Sequence, residues 1–332
     1  MSETSGRRPT LKEVARAAGV SVASASYAIN GTGSVGEQTR EHILAVAAQL
    51  GYRPNLSAKA MKTGRTGTIG LVVPDLTNPF FPSLAQVIIQ TARQRGYSVL
   101  LTDTEGSPDA ERQSLQLLSE RGVDGVIWFP VSDDSAVGEA IGGTPTVVLD
   151  RNLAGYDVIH ADYAQGGELA ARRLIAAGHT RIGVISGPVA ASSARQRAQA
   201  AAEVIRTEAQ LAWQVSNAFS LDLEPAVLAA IDSRDATAIV VGADLIAIGA
   251  IRHLHASGLK VPEDVSIIGF DDIPWAPLNT PPLSTIEMPS EEMALEAVEL
   301  LLRRIAQPDE PRRRVVFNVG LIERASVGPP PR

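Results

Sequence analysis

From residue 68 onward the chain alternates short β-branched runs with alanine- and leucine-rich segments, and this alternation limits the possible folds most. Runs such as TIGLVVPD, YSVLLTDT, GVIWFP, PTVVLD, RIGVISG, TAIVVGAD and VSIIGFDD predict buried strands. Segments between them, such as FPSLAQVIIQTARQRG and GGELAARRLIAAG, predict helices. Strands that alternate with helices form parallel sheets covered on both faces. About ten strands over some 260 residues are too many for one such sheet, so the sequence predicts two lobes.

Residues 10–30 predict two short helices joined by a tight turn. Thr10 and Ser21 are suited to cap the two N-termini, because a hydroxyl accepts a hydrogen bond from a free backbone N–H. Gly19 supplies the positive φ that ends the first helix, and the second stops at the Asn30–Gly31 pair. The apolar face of the first helix comprises Leu11, Val14, Ala15 and Ala18.

A third helix is predicted in the segment EQTREHILAVAAQLGY. Two helices joined by a tight glycine turn and supported by a third form a helix-turn-helix unit. The expected inner face of the third helix comprises Ile43, Val46, Ala47 and Leu50.

Charge separates this head from the rest of the chain. Residues 1–65 contain nine Lys and Arg against four Glu, a net charge of +5, whereas the remainder has 21 basic and 33 acidic residues, a net charge of −12. A basic head on an acidic body indicates that the head alone meets a polyanion. A chance imbalance is the alternative interpretation.

The sequence favours a non-enzymatic protein of the cytoplasm. It has no cysteine, which excludes disulfides and thiolate metal sites. No apolar signal segment and no membrane-spanning run are visible. The GTGSVG segment matches a dinucleotide fingerprint but follows a predicted helix instead of a strand, so we expect no cofactor. No motif of a catalytic or metal site occurs, and the five histidines are scattered.

The carboxylates Asp271 and Asp272 end a predicted strand, where α/β sheets bind ligands.

Three domains are expected from these changes in composition. They are a helix-turn-helix domain in residues 1–53, a hinge helix and linker in residues 54–66, and a two-lobed domain in residues 67–332. Pro54 separates the first two, and the short helical segment LSAKAMKT is expected to order only against a partner. The terminal SVGPPPR is expected to be a loose tail.

Four stretches of the chain, taken in order, resemble the lactose-repressor (LacI/GalR) family of bacterial transcription regulators. They are TLKEVARAAGVSVASASYAINGTG, LGYRPNLSAKAMKTGRTGTIGLVVPDLTNPFF, GHTRIGVISGP and VPEDVSIIGFDD. The resemblance implies a helix-turn-helix head, a hinge helix and a core like periplasmic sugar-binding proteins. It also implies that residues 67–332 bind an effector and dimerise, and that the homodimer binds double-stranded, palindromic operator DNA. TNPFF and GYSVLLTDTEGS are most similar to ribose-type repressors.

The resemblance makes the second helix the one that reads DNA, and this interpretation accounts for its composition. Small uncharged side chains permit close approach to base edges in the major groove. Tyr27 stands where many members have arginine, so the family's operator preference does not transfer, and packing against the third helix is its alternative role. The residues implied to contact DNA through the head are Ser21, Val22, Ala23, Ser24, Ser26, Tyr27, Asn30 and Tyr52.

The resemblance also implies contacts from the hinge to the minor groove. Met61 stands where the family inserts a leucine, and an apolar side chain is able to pry a base step apart. Asn55, Ala58 and Lys59 are implied to line or contact the same groove. Packing of one hinge on the other is the alternative role for Met61.

The implied effector site suits a sugar, because aromatic rings cover C–H faces while Asp and Arg bond hydroxyls in pairs. Its departures from the family leave the effector open: Ala243 replaces a usual asparagine, Ala200 and Ala201 replace a glycine–aromatic pair, and Glu287 replaces an amide of ribose binders. Of the two phenylalanines we expect one to face the ligand, core packing being the alternative. The implied effector-binding residues are Asn78, Phe80, Phe81, Asp150, Arg151, Arg197, Phe219, Asp271 and Glu287.

We therefore expect a dimeric repressor of carbohydrate-utilisation genes that a sugar effector releases from its operator. A regulator that needs a purine-type corepressor is the alternative within the class. A sugar-binding transport protein is a more remote alternative, against which the basic head and the lack of a signal segment argue. The sequence leaves open whether the assembly is a dimer or a tetramer.

Overall fold

A computed structural model describes residues 9–31, 33–53, 64–133 and 135–331, the side chains of residues 135 and 136 excepted. The chain divides into two compact units, one ending at Thr66 and one beginning at Gly67. None of the helices in these ranges is long and apolar enough to cross a membrane. The predicted hinge residues Asn55, Ala58, Lys59 and Met61 lie outside the described residues.

The first unit contains three helices, α1 (Leu11–Ala17), α2 (Val22–Asn30) and α3 (Glu37–Gln49). Thr10 and Glu13 form a capping box at the start of α1, and the turn after α1 contains Gly19 at φ +66°. The three helices enclose a small apolar core. Its buried residues are Val14, Ala15, Ala18, Ala25, Ala28, Ile43 and Ala47.

The prediction that Leu50 lies on the inner face of α3 is wrong. Leu50 is the C-cap residue of α3, and 39% of its surface is exposed. The chain reverses at Gly51, whose φ is +66°, and the amide of Tyr52 donates to the carbonyl of Ala47 at 2.9 Å. The half-buried side chain of Tyr52 then packs against the apolar core.

The second unit contains two sheets with helices on their faces. Its helices are α4 (Phe80–Gln94), α5 (Pro108–Glu120), α6 (Tyr163–Ala176), α7 (Ser192–Glu208), α8 (Pro225–Asp232), α9 (Asp244–Ala256) and α10 (Ser290–Ala306), with a 3-10 helix at Ser135–Ile141. Its strands are β1 (Thr68–Val73), β2 (Ser98–Asp103), β3 (Gly125–Trp128), β4 (Thr146–Leu149), β5 (Asp157–Ala161), β6 (Arg181–Ser186), β7 (Gln210–Ser216), β8 (Ala238–Val241), β9 (Ser266–Asp271), β10 (Ser284–Glu287), β11 (Arg314–Phe317) and β12 (Gly320–Ile322).

The two sheets define two lobes, as the sequence predicted. The first lobe has the strand order β11-β5-β4-β3-β1-β2, and the second has the order β12-β10-β9-β8-β6-β7. Neighbouring strands are parallel except β10 and β12, which are antiparallel. The chain crosses between the lobes after β5, after β10 and after β11.

The central strands of each sheet are buried on both faces, which explains why they read as continuous apolar runs. One cluster of buried side chains extends through both lobes, from Ile69 on β1 to Ile182 on β6. A second cluster covers the other face of the second sheet beneath α8 and α9. A third covers the other face of the first sheet and includes Trp128.

Buried polar contacts attach α10 to the first sheet and the C-terminal segment to the second lobe. Arg304 of α10 donates from Nε to Oδ2 of Asp157 at 2.7 Å and from Nη2 to Oδ1 at 3.1 Å. The C-terminal segment is also anchored at Ser326 and Gly328, so the expectation of a loose tail is wrong for residues 326–328. The amide of Gly328 donates to the hydroxyl of Ser266 at 3.0 Å, and its carbonyl lies 3.0 Å from Nε2 of the buried His179.

Candidate DNA-binding and effector sites

The outward face of α2 is uncharged. Ala25 and Ala28 point into the core of the head, which leaves Val22 and Tyr27 43% and 49% exposed. Ala23 is exposed beside them. This face therefore offers small apolar groups and one phenol.

The polar side chains of α2 hold the helix itself. Ser21 caps the helix by accepting from the amide of Ser24 at 3.0 Å, and the two hydroxyls lie 2.9 Å apart. The side-chain amide of Asn30 donates to the carbonyl of Ser26 at 2.8 Å and to its hydroxyl at 3.2 Å. These contacts explain how a short helix with no charged residue at either end is stabilised.

The turn after α2 packs against Tyr27. A Cβ at Gly33 would lie 2.8 Å from Cγ of the Tyr27 ring, so the turn requires glycine there both for this approach and for its φ of +76°. Tyr27 thus packs on one side and is exposed on the other.

In the second unit, the carboxyl ends of the strands in the two lobes face each other. Asp150 follows β4 in the first lobe at φ +69°. Its Oδ1 accepts a hydrogen bond from the hydroxyl of Tyr163, and its Oδ2 accepts from Ser193 at 3.1 Å. Arg151 also pairs with Oδ2 of Asp150 and donates to Ser193 at 2.9 Å. Because Tyr163 and Ser193 begin α6 and α7 of the second lobe, these contacts join the lobes.

Arg197 of α7 is the second centre of this polar network. Its Nη1 donates to Oδ1 of Asp271 and to the carbonyl of Gly242, both at 2.9 Å. Its guanidinium carbon lies 3.9 Å from the centroid of the Phe270 ring and 4.9 Å from that of Tyr163. The Nε atoms of Arg197 and Arg151 are buried without a hydrogen-bond partner. Each guanidinium therefore keeps donor capacity that a ligand is able to use.

Burial determines the protonation equilibria of this network. Burial raises the pKa of Asp271 to about 6, against the opposing charge and hydrogen bond of Arg197. Burial and then the charge of Asp150 raise the pKa of the Tyr163 phenol, which therefore stays a hydrogen-bond donor at neutral pH. Burial and the charge of Asp271 also raise the pKa of Asp244.

Four of the predicted effector residues are thus brought into one network: Asp150, Arg151, Arg197 and Asp271. Asn78 lies in the loop between β1 and α4, and Phe80 and Phe81 are the first two residues of α4, at the same edge of the first sheet. Asn78 is buried and accepts from the amide of Phe80 at 3.2 Å. The ring of Phe81 meets the buried ring of Phe129 edge-on, with centroids 5.5 Å apart, whereas Phe80 meets only Phe81 among the aromatic rings of the described residues.

The other two predicted residues lie on further strand ends of the second lobe. Phe219 follows β7 and packs so closely on Gly187 that a Cβ there would lie 2.4 Å from its ring. Glu287 ends β10, is exposed, and pairs in register with Asp271. Asp272, the neighbour of Asp271, turns to Arg324 within the second lobe at 2.7 Å.

Sequence reasoning missed Tyr163 and Ser193. Both begin a helix that follows the carboxyl end of a parallel strand, and this position is the signal that would have found them. It also missed Asp133, which follows β3 and contacts the second lobe. Among the residues whose side chains are described, no cluster of three or more His, Asp or Glu is arranged to hold a metal ion.

Comparisons with known proteins decide the family. Residues 10–55 match the model of the bacterial regulatory proteins of the lacI family, and residues 171–327 match a periplasmic binding protein-like domain. The chain is 36% identical to the ribose operon repressor of Haemophilus influenzae, over 96% of this chain and 98% of that protein. The chain belongs to the lacI family.

Two further lacI-family proteins cover nearly the whole chain. The HTH-type transcriptional repressor PurR of Photobacterium profundum is 34% identical, over 96% of this chain and 98% of that protein. A crystal structure of the lac repressor dimer bound to operator and the anti-inducer ONPF superposes with a TM-score of 0.86 at 27% identity, covering 97% of this chain and all of that one. The predicted fold class, and the prediction of a DNA-binding regulator instead of an enzyme, are confirmed.

Proposed function

We propose that this lacI-family protein represses transcription in the cytoplasm by binding a palindromic operator as a homodimer, and that a sugar bound between the lobes releases it. The observation that carries the proposal is the combination of two features in one chain. One is a helix-turn-helix with an uncharged, exposed face on α2, and the other is a polar network that joins two lobes.

The head is suited to DNA by shape and by charge. Val22, Ala23 and Tyr27 form the exposed face of α2 and are the candidates for base contacts. We assign phosphate contacts, which position a protein without reading sequence, to Ser21, Ser24 and Ser26. Since the basic surplus lies in residues 1–65, we assign DNA affinity to the head.

The network between the lobes is suited to a polyhydroxylated ligand. Asp150 already accepts hydrogen bonds from two hydroxyls, those of Tyr163 and Ser193. A sugar presents hydroxyls of the same chemistry, and Nε of Arg197, which is buried without a hydrogen-bond partner, adds a donor. Because Phe81 packs on buried Phe129, we assign the ligand-facing role to Phe80.

Exposed apolar surfaces support the homodimer. Leu100 and Leu101 lie on the edge strand β2 with 41% and 38% of their surfaces exposed. Leu101 borders a groove whose other residues come mainly from α4, including Ala85 and Ile89. An exposed, apolar edge strand is a template for pairing with another copy unless it is covered.

The nature of the effector is tested with two ligands. The ribose operon repressor among the relatives makes D-ribose the first candidate, and the alternative of a purine-type corepressor makes a nucleobase the second. We expect D-ribose to raise the melting temperature of the whole protein and to weaken its binding to operator DNA. Stabilisation by hypoxanthine with stronger operator binding would establish the corepressor alternative. If neither D-ribose nor hypoxanthine stabilises the protein or changes its operator binding, the assignment of the effector is contradicted.

A further inference from the structure

A second set of contacts joins the lobes outside the predicted effector residues. Asp133 lies in the loop after β3 of the first lobe. Its Oδ1 accepts from the hydroxyl of Ser192 at 2.6 Å, and its Oδ2 accepts from Nη2 of Arg195 at 2.8 Å. Both partners lie in the first turns of α7 in the second lobe, and Nε of Arg151 lies 3.7 Å from Oδ1.

The first lobe presents Asp133 on an anchored loop. Glu111 of α5 is buried and accepts from the indole Nε1–H of Trp128 at 2.8 Å and from the amide of Val131 at 2.7 Å. Val131 precedes Asp133 by two residues. A buried carboxyl group in the same lobe therefore anchors the loop at Val131.

The second lobe offers a site that favours a negative charge. α7 spans Ser192–Glu208, and no side-chain hydrogen bond of its own caps its N-terminus. The positive end of the helix dipole and the free amides of the first turn attract an anion. Burial raises the pKa of Asp133, but the hydrogen bonds from Ser192 and Arg195 and the charges of Arg151 and Arg195 outweigh it and leave the pKa below its usual value.

We propose that Asp133, Ser192 and Arg195 form a rim clasp, which keeps the two lobes closed without an effector and thereby sets how much effector the protein needs. This regulation rests on the proposed function of the cleft as effector site. The clasp is weak because solvent screens its ion pair: 34% of the Asp133 side chain and 49% of the Arg195 side chain are exposed. A weak clasp leaves an open population that an effector is able to enter.

The clasp acts on effector binding without touching the effector. If only the closed form binds tightly, the apparent dissociation constant equals the intrinsic one divided by the closed fraction. Loss of the clasp lowers the ratio of closed to open protein by about five- to tenfold, as expected for one exposed ion pair with a charge-assisted hydrogen bond. High salt lowers the ratio in the wild type as well.

The distance between the lobes tests the clasp directly. The chain has no cysteine, so Arg112→Cys on α5 and Ala226→Cys on α8 give one spin label on each lobe, both at exposed positions. Pulsed electron paramagnetic resonance on whole protein, diluted with a large excess of unlabelled protein, then measures the distance within one protomer. We expect one short distance in this background, and a second, longer component after Asp133→Asn or Arg195→Gln.

A matched control separates the clasp from general effects of charge removal. Arg172 and Glu208 form an ion pair of similar exposure within the second lobe, with 54% and 38% of their side chains exposed. Glu208→Gln is expected to leave the distance unchanged. Identical distances in the background protein and in both clasp variants, with melting curves that show folded protein, would overturn the proposal.

D-ribose separates this proposal from that of the effector. If D-ribose binds the wild type, it is expected to restore the short distance in the clasp variants, at concentrations raised by the ratio of the wild-type closed fraction to the variant closed fraction, both of which the distance distributions give. Unchanged affinity in variants that show the longer distance would also overturn the proposal. If D-ribose does not bind the wild type, the assignment of the effector is wrong. The distances between the spin labels then test the clasp without a ligand.

Discussion

Replacing Arg197 by methionine is expected to weaken the fold and the effector response together. The side chain is only 6% exposed, and its Nη1 donates to Oδ1 of Asp271 and to the carbonyl of Gly242 at 2.9 Å each. Methionine keeps most of the apolar packing on Phe270 but removes both hydrogen bonds and the positive charge. Asp271 and the carbonyl of Gly242 are then left without this donor.

The expected loss in the free energy of unfolding is about 3 kcal/mol. Breaking a buried ion pair by removing one partner costs about 3–5 kcal/mol, because the other charge stays buried without compensation. The lower end applies here because the pKa of Asp271 is already raised to about 6, so its carboxyl group takes up a proton at moderate cost. The loss is therefore expected to be smaller at pH 5 than at pH 8.

Urea denaturation of the whole protein measures this loss. The dependence of the unfolding free energy on urea concentration must be the same in the variant and the wild type. Arg252→Met is the control, since Arg252 pairs with Asp222 at 3.2 Å on the surface and is expected to cost less than about 1 kcal/mol. Arg304→Met breaks the buried pair with Asp157 away from the cleft, so it is expected to lower stability but to preserve the effector response. Equal losses for Arg197→Met and Arg252→Met would refute the reasoning.

Three further changes address the head, the dimer and the cleft. Tyr27→Ala is expected to relax base preference at one symmetric operator position by about 1–3 kcal/mol, measured by selection from randomised duplexes; an unchanged operator would favour the packing role. Leu101→Glu is expected to give monomers in sedimentation and to weaken operator binding, while Leu117→Glu, at a leucine of α5 with 44% exposure, leaves a dimer; dimers in both would place the interface elsewhere. Because the folded-state pKa of Asp271 is raised to about 6, the stability from its protonated form is complete below its unfolded pKa and is lost as pH rises through 6. Between pH 4 and pH 7 the free energy of unfolding of the wild type is therefore expected to fall by up to about 3 kcal/mol relative to that of Asp271→Asn. A difference between the two unfolding free energies that stays constant with pH, measured by urea denaturation, would contradict this.

The local signals of the head were predictable because they act over a few residues. The caps at Thr10 and Ser21 and the glycine turns at Gly19 and Gly31 each need only their neighbours, and all four are present. The prediction for Leu50 is wrong because the spacing of apolar residues does not show where a helix ends, and α3 ends one residue before Leu50. The reversal at Gly51 brings Tyr52 against the core instead.

The polar network was predictable only in part because its partners are distant in sequence. Asp150, Arg151, Arg197 and Asp271 were implied by family position, and each lies at or after the end of a strand or on α7. Tyr163 enters the network because the chain crosses between lobes immediately before it, and periodicity does not reveal a crossing. The anchoring of Gly328 to Ser266 likewise joins residues that are 62 positions apart.

The central claim is that this lacI-family chain is a DNA-binding regulator, and selection of duplexes from a randomised pool by the whole protein tests it most directly. We expect a two-fold symmetric sequence to be enriched, with an affinity that falls steeply as salt rises because phosphate contacts release counterions. We also expect D-ribose to weaken binding to that sequence. Failure to enrich any symmetric sequence, or binding that does not respond to salt, would contradict the account.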